Sequence, residues 1–197
     1  MPVSGVDTLT DMSAAPNHPN ASLPGFDAPA VGFEQPFEML QACHDRVRRS
    51  LALLGRLVEH IDARGHDEQS RGAARDVLRY FDLAAPHHHE DEERHVFPRL
   101  LASGDAGLTA DVLRLRADHE RMAALWGALR GVLQRWAAPD AADAIDAATR
   151  SAVVDFRAAY DGHIELEEER VFPAARALVD ADALAAMGTE MAARRRA

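Results

Sequence analysis

One cysteine, no lysine and no apolar run of membrane-spanning length set the first limits on this 197-residue chain. Cys43 alone cannot close an internal disulfide, and it cannot build a Cys-rich cluster or a Cys-x-x-Cys site. Met1 to Ala15 carry neither a basic start nor an apolar core, so no signal peptide is expected. These absences point to a soluble cytoplasmic protein without membrane contact. The 22 basic residues, all arginine, face 32 acidic ones, for a net charge of -10. A surface of that sign does not suit phosphate backbones, so nucleic acid is not an expected partner. There is also no Gly-rich phosphate loop, nucleotide motif or nucleophile–base arrangement, which argues against a classical enzyme with an organic substrate. Apolar residues make up 47% of the chain, enough for one domain with a sizeable core.

What the chain does contain is a repeat. His44, His88, Glu92 and Val96-Phe97-Pro98 recur as His119, His163, Glu167 and Val171-Phe172-Pro173, at a fixed offset of 75 residues without a gap. The residues retained are ligand types as well as packing types.

Residues 1–33 hold five prolines and no sustained period, and read as a disordered Pro-rich tail ahead of a folded domain over 34–197. From Phe37 the period is helical. Leu40, His44, Val47, Leu51, Leu54, Val58 and Ile61 share one face. A second helix over about Ser70–Leu101 turns Val77, Phe81, Ala85, His88, Glu92 and Val96 inward, and Pro86 and Pro98 must each kink or break it. The third helix repeats the first through Val112, Leu115, His119, Met122, Trp126, Leu129, Leu133 and Trp136. The fourth repeats the second through Val153, Phe156, Tyr160, His163, Glu167 and Val171. A short helix over Ala181–Ala193 ends in Arg194-Arg195-Arg196, which suits the negative end of a helix dipole. The expected fold is all-α: an up-down-up-down four-helix bundle made of two repeated helical hairpins, plus the short C-terminal helix.

His44 and His119 interrupt apolar stripes, and an imidazole buried without a partner is costly. In His88-x-x-x-Glu92 and His163-x-x-x-Glu167 the two side chains lie one helical turn apart on one face. Buried carboxylates with no cation would repel one another and protonate. Two metal ions held by His44, His88, Glu92, His119, His163 and Glu167 remove that problem. Imidazole and carboxylate without thiolate suit Fe, Mn, Zn or Cu rather than Ca or Mg. If both glutamates bridge, each ion has two imidazoles and two carboxylate oxygens, and an oxo or hydroxo bridge still leaves iron one position for O2, peroxide or nitric oxide.

His87, His88 and His89 each have an acid four residues on. The repeat selects His88 and Glu92. The unrepeated histidines 18, 60, 66, 87, 89 and 95 read as surface residues, with His87 and His89 as candidate neighbours of the ligands. The acidic runs Glu90–Glu93 and Glu165–Glu169 read as solvated faces apart from the two inward glutamates. Tyr160 either faces the site or is packed with its hydroxyl satisfied.

With these residues placed, Phe37 to Ala174 resembles the hemerythrin-like HHE cation-binding family. The resemblance rests on His44, His88-x-x-x-Glu92 with Val96-Phe97-Pro98, His119, and His163-x-x-x-Glu167 with Val171-Phe172-Pro173. The stretch from Leu184 to Arg195 also looks like members of this family. The resemblance implies a four-helix bundle with two non-haem iron ions, His44 and His88 on one, His119 and His163 on the other, and Glu92 and Glu167 bridging. Zinc or manganese can occupy such a site in vitro. Oxygen-carrying hemerythrins have a second histidine where this chain has Ala123, and an aspartate five residues after the fourth-helix histidine, where this chain has Glu167 at four. The set is similar to that of the repair-of-iron-centres proteins, which usually carry a Cys-containing N-terminal domain. Here a cysteine-free, Pro-rich tail stands in its place. The implied function is sensing of, or reaction with, a small diatomic or peroxide ligand, in stress response or iron-centre repair. Reversible O2 binding and a non-enzymatic iron-binding or iron-sensing module are the alternatives.

Overall fold

Aspartates start the helices. In the computed structural model, which describes residues 31–196, Asp67, Asp105, Asp146 and Asp180 each accept a hydrogen bond from a backbone N–H in the first turn that follows. Those N–H groups have no partner inside the helix, so the caps both satisfy them and mark where each helix begins. The second helix therefore begins at Glu68 rather than Ser70. Ser70 instead returns a hydroxyl contact to the Asp67 amide at 2.9 Å, completing a reciprocal box.

Four rods result. The first is α1, Pro36–Arg64, ended by Gly65 at φ 77°, where a side chain would be strained. The second is segmented into α2 (Glu68–Arg79), a π turn (Tyr80–Ala84), α3 (Ala85–Asp91), a second π turn (Glu92–Val96) and α4 (Phe97–Ala102). The third is α5, Ala106–Trp136. The fourth contains α6 (Ala147–Leu166), a π turn (Glu167–Val171) and α7 (Phe172–Arg176), and α8 (Ala181–Arg194) follows. No strand occurs among the described residues. Contacts of α1 with α2, α2 with α5, α5 with α6 and α6 with α1 close the expected up-down-up-down bundle, and α8 packs on α1.

The prolines neither end the second rod nor interrupt its helical dihedrals. The N–H groups of Ala85, Phe97 and Phe172 bond back five residues, to Tyr80, Glu92 and Glu167. Pro86, Pro98 and Pro173 come next in each case. The wider π turn has already shifted the hydrogen-bond register, so the missing proline N–H falls at the start of a new α segment, where it is tolerated. The repeated Phe-Pro therefore marks a π turn, and each of these two turns opens on one of the inward glutamates.

The inward stripes match the sequence pattern, except that Leu57 takes the core position expected of Val58, and Val58 and Trp126 are half-buried. The apolar core forms two clusters. One runs from Val47 to Ile61 on α1 with Phe81, Leu129, Phe156 and their neighbours. The other joins Phe37, Leu40, Phe97, Leu115, Phe172 and Met187. Along every rod the inward histidines and glutamates fall between members of these two layers. The expected Pro-rich tail lies, up to residue 30, outside the described residues. Val31 and Phe33 pack on the second cluster. The Phe33 carbonyl approaches Gly188 so closely that a Cβ there would collide with it. No helix among the described residues is long and apolar enough to cross a membrane.

Candidate metal centre

Each rod contributes to a group of six ionisable side chains: His44 from α1, His88 and Glu92 from the second rod, His119 from α5, and His163 and Glu167 from the fourth. All six are at most 5% exposed. Glu92 spans the group. Its Oε1 lies 3.1 Å from His88 Nε2 and 3.8 Å from His44 Nε2, while its Oε2 lies 3.5 Å from His119 Nε2. Glu167 does the same from the opposite side, with Oε2 3.1 Å from His44 Nε2 and Oε1 3.3 Å from His163 Nε2. Four-residue sets able to surround an ion form at both ends: His44, His88, Glu92 and Glu167, and Glu92, His119, His163 and Glu167.

The fit to a cation shows in what these atoms lack. Both oxygens of Glu92 and of Glu167, and the Nε2 atoms of His44, His119 and His163, are buried without a hydrogen-bond partner. They approach one another but are not aligned as donor and acceptor. Leaving so many polar atoms unsatisfied is unusual and costly in a folded interior. Lone pairs converging from imidazole and carboxylate are what a transition-metal ion satisfies.

An outer ring of carboxylates orients the imidazoles. His44 Nδ1–H donates to Glu168 at 2.9 Å, and His119 Nδ1–H donates to Glu93 at 2.8 Å. A carboxylate can only accept here, so Nδ1 carries the proton and Nε2 turns its lone pair inward. His44 stacks on Phe172 with ring centroids 5.4 Å apart, and His119 stacks on Phe97 at 5.7 Å. Glu93 and Glu168 are again 75 residues apart, as are Phe97 and Phe172, so the repeat extends to the residues that hold the ligands. Asp118 Oδ2 lies 3.5 Å from His163 Nδ1.

Charge within the cluster follows from burial and proximity. Burial alone pushes the His44 imidazolium down, but the nearby carboxylates of Glu167 and Glu92 reverse this and lift it to about 10. Burial likewise opposes His119, and Glu92 followed by Glu93 raises it to about 9. Glu167 is disfavoured by burial, yet His163 and His44 hold its carboxyl well below the usual range. Burial and then the His44 charge push His88 well down. Without an ion, protons on His44 and His119 supply the positive charge that the carboxylates require.

The structure adds detail to the sequence expectations here. His89, read as a surface residue or a neighbour of the ligands, is half-buried and a neighbour: its ring stacks on His119 with centroids 4.0 Å apart, and burial and then His119 push its pKa well down. The acidic runs are solvated at Glu93, Glu165 and Glu169, but Glu93 and Glu168 also bond to cluster histidines, and Asp91 is fully buried. Asp91 accepts from Arg195 at 2.5 Å and from Arg194. The C-terminal arginines thus fasten α8 to the rod that carries Glu92, beyond the dipole effect expected of them. The 75-residue offset held a signal for Glu93 and Glu168. Asp91 has no such signal, because its counterpart is Leu166. Tyr160 is buried and packs edge-on against Phe156, with His89 6.5 Å away. His87 is exposed.

Residues 35–175 match the hemerythrin HHE cation binding domain. An uncharacterized protein of Haemophilus influenzae strain Rd is 34% identical over 163 residues, covering 83% of this chain and 91% of that protein.

Proposed function

Since the chain belongs to the hemerythrin HHE cation-binding domain family, we propose that its buried histidine–glutamate cluster holds two non-haem iron ions and serves to sense or react with a small oxidant: O2, nitric oxide or peroxide. His44 and His88 would hold one ion, His119 and His163 the other, and Glu92 and Glu167 would span both. The observation that carries this reading is the set of four buried carboxylate oxygens without donors, each facing an imidazole nitrogen. When bound, such ions supply redox chemistry and open coordination positions for a small ligand.

The protein's own part is orientation and exclusion. Glu168 and Glu93 fix the tautomers of His44 and His119 and make their Nε2 atoms better donors to a cation. Phe172 and Phe97 lie flat against the same rings and keep water from them. The π turns at Glu92 and Glu167 set each carboxylate between two rods, so that one oxygen faces each end of the cluster. A role in stress response or iron-centre repair agrees with the four-His, two-Glu set, in which no histidine stands at Ala123.

The test is iron content per chain, with the visible spectrum recorded anaerobically and then after O2, nitric oxide and peroxide. About two irons per chain and a spectrum altered irreversibly by one of these ligands support the reading. A spectrum that reverts when O2 is removed marks reversible carriage instead. A folded helical protein that takes up no iron overturns the proposal.

A further inference from the structure

The two ends of the cluster differ on their outer sides. At the His44 end, Arg48 donates to Glu168 at 2.8 and 3.1 Å, and Glu168 accepts from His44. One repeat on from Arg48 stands Ala123, an exposed residue that offers Glu93 no cation. Glu93 is 45% exposed, against 27% for Glu168. Ala85 is the counterpart of Tyr160, which removes a second large side chain from the same region. Here a pocket of about 300 Å³ opens. Phe81, Trp126 and Tyr160 line its walls, Ala123 stands at its mouth, and His89 and His119 form its inner end.

The volume is informative. A water molecule's share of liquid volume is about 30 Å³, and an apolar cavity of about 150 Å³ accepts benzene. A diatomic molecule would leave most of this pocket empty, whereas a single-ring organic molecule fits. The chemistry of the lining narrows the class further. Aromatic walls favour a flat apolar body, and the His89 imidazole offers one polar contact at the inner end. Glu93 and Glu120 border the pocket, and the His119 ring beside them is already bonded to Glu93, so an added anion would meet these carboxylates.

We propose that this pocket binds a small neutral organic molecule of single-ring size, its apolar body against Phe81, Trp126 and Tyr160 and one hydrogen-bonding atom against His89. The proposal goes beyond the metal reading. It stands on the shape and lining of the pocket, whatever ion the cluster holds.

The experiment adds para-fluorophenol to the full chain, metal-free and iron-loaded, and follows binding by fluorine NMR. Saturable line broadening is expected in both forms. Ala123→Arg, which places at the mouth the side chain found at the other end, should weaken binding about tenfold or more. Ala123→Phe should do the same by filling space, and serves if the arginine variant folds poorly. Iron content should be unchanged in both. Para-fluorobenzoate, an anion of the same shape, should bind at least about tenfold more weakly. No saturable broadening, binding indifferent to both substitutions, or equal binding of the anion would each overturn the proposal. If fluorophenol binds as expected and iron does not load, the pocket stands and the di-iron reading falls. If iron loads and fluorophenol does not bind, the reverse holds.

Discussion

The two halves of the repeat share their inner residues and differ outside them. In both, a histidine on the first helix meets a His-x-x-x-Glu on the second, a carboxylate fixes the first histidine's tautomer, and a phenylalanine ahead of a proline stacks on its ring. Outside this frame, Arg48 faces Ala123, Ile164 faces His89, Leu166 faces Asp91, and Tyr160 faces Ala85 across the repeat. Duplicated chemistry thus survives where an ion must be held. The positions that decide access and attachment have diverged: one end is bordered by an ion pair, the other opens into an aromatic pocket, and among the described residues the ion pairs that fasten α8 through Asp91 belong to the first half.

The largest effect expected is on the shared frame. His44→Ala and His119→Ala should each strip the metal and the stability linked to it. With free ion at a hundredfold its dissociation constant, that linkage is worth about 2.7 kcal/mol. For a domain of this size the melting midpoint should fall by about 5–10 °C. Metal analysis with thermal melts checks this. A variant that keeps one ion at full occupancy would show that the two ends bind independently.

Next comes the ion-paired anchor at Asp91 in the first half. Asp91→Ala should cost about 2 kcal/mol, less than for a fully buried pair because Arg194 and Arg195 retain contact with water. Denaturant melts measure the loss, and hydrogen exchange should show α8 opening ahead of the bundle. Leu166→Ala, the matching position, should leave exchange in α8 unchanged. If both variants free α8 equally, the anchor is not specific to Asp91.

A smaller effect should follow from exchanging the outer residues. Arg48→Ala removes an ion pair that is half exposed, so stability should change by less than about 1 kcal/mol. The rate at which a chelator extracts metal should rise, because Glu168 loses its tie. Equal extraction rates in the parent and in Arg48→Ala would mean that Arg48 does not guard its end.

The smallest difference lies in the helix starts. Both helices of the second half begin on an aspartate, whereas Gln35 makes no side-chain cap for α1. Backbone amides of Leu108 and Gly107 hold the Asp105 carboxyl below its usual range, and Thr149 does so for Asp146. A carboxyl lowered on folding contributes stability above its unfolded value, near about 4, and loses it as pH falls through the folded value. Amide exchange at the first turns of α5 and α6 should therefore quicken in acid while that of α1 does not. Equal quickening at all three would remove the caps as the cause.

Much of the bundle and the frame of the site were legible because helical period and a gapless repeat are local properties of a chain. Leu40, His44 and Val47 declare an inward face by spacing alone, and His163 with Glu167 confirms which of three adjacent histidines turns in. The proline outcome was less legible. Pro86 and Pro98 announce a disturbed ladder, but whether a chain kinks, stops or widens into a π turn depends on how the flanking segments pack. His89 shows a similar limit. A histidine beside an inward one reads as a surface residue or a neighbour of the ligands, and only the packing of α5 against its rod shows that it stacks on His119.

The sequence by itself determined the four-helix architecture, the pairing of two hairpins and the six residues that meet between two apolar layers, since all of these follow from spacing along single helices. Only the tertiary structure decided that Asp91 is buried under Arg194 and Arg195, that Arg48 ties down Glu168, and that a pocket opens at Ala123. Those contacts join residues far apart in the chain, and no local period records which of them will meet.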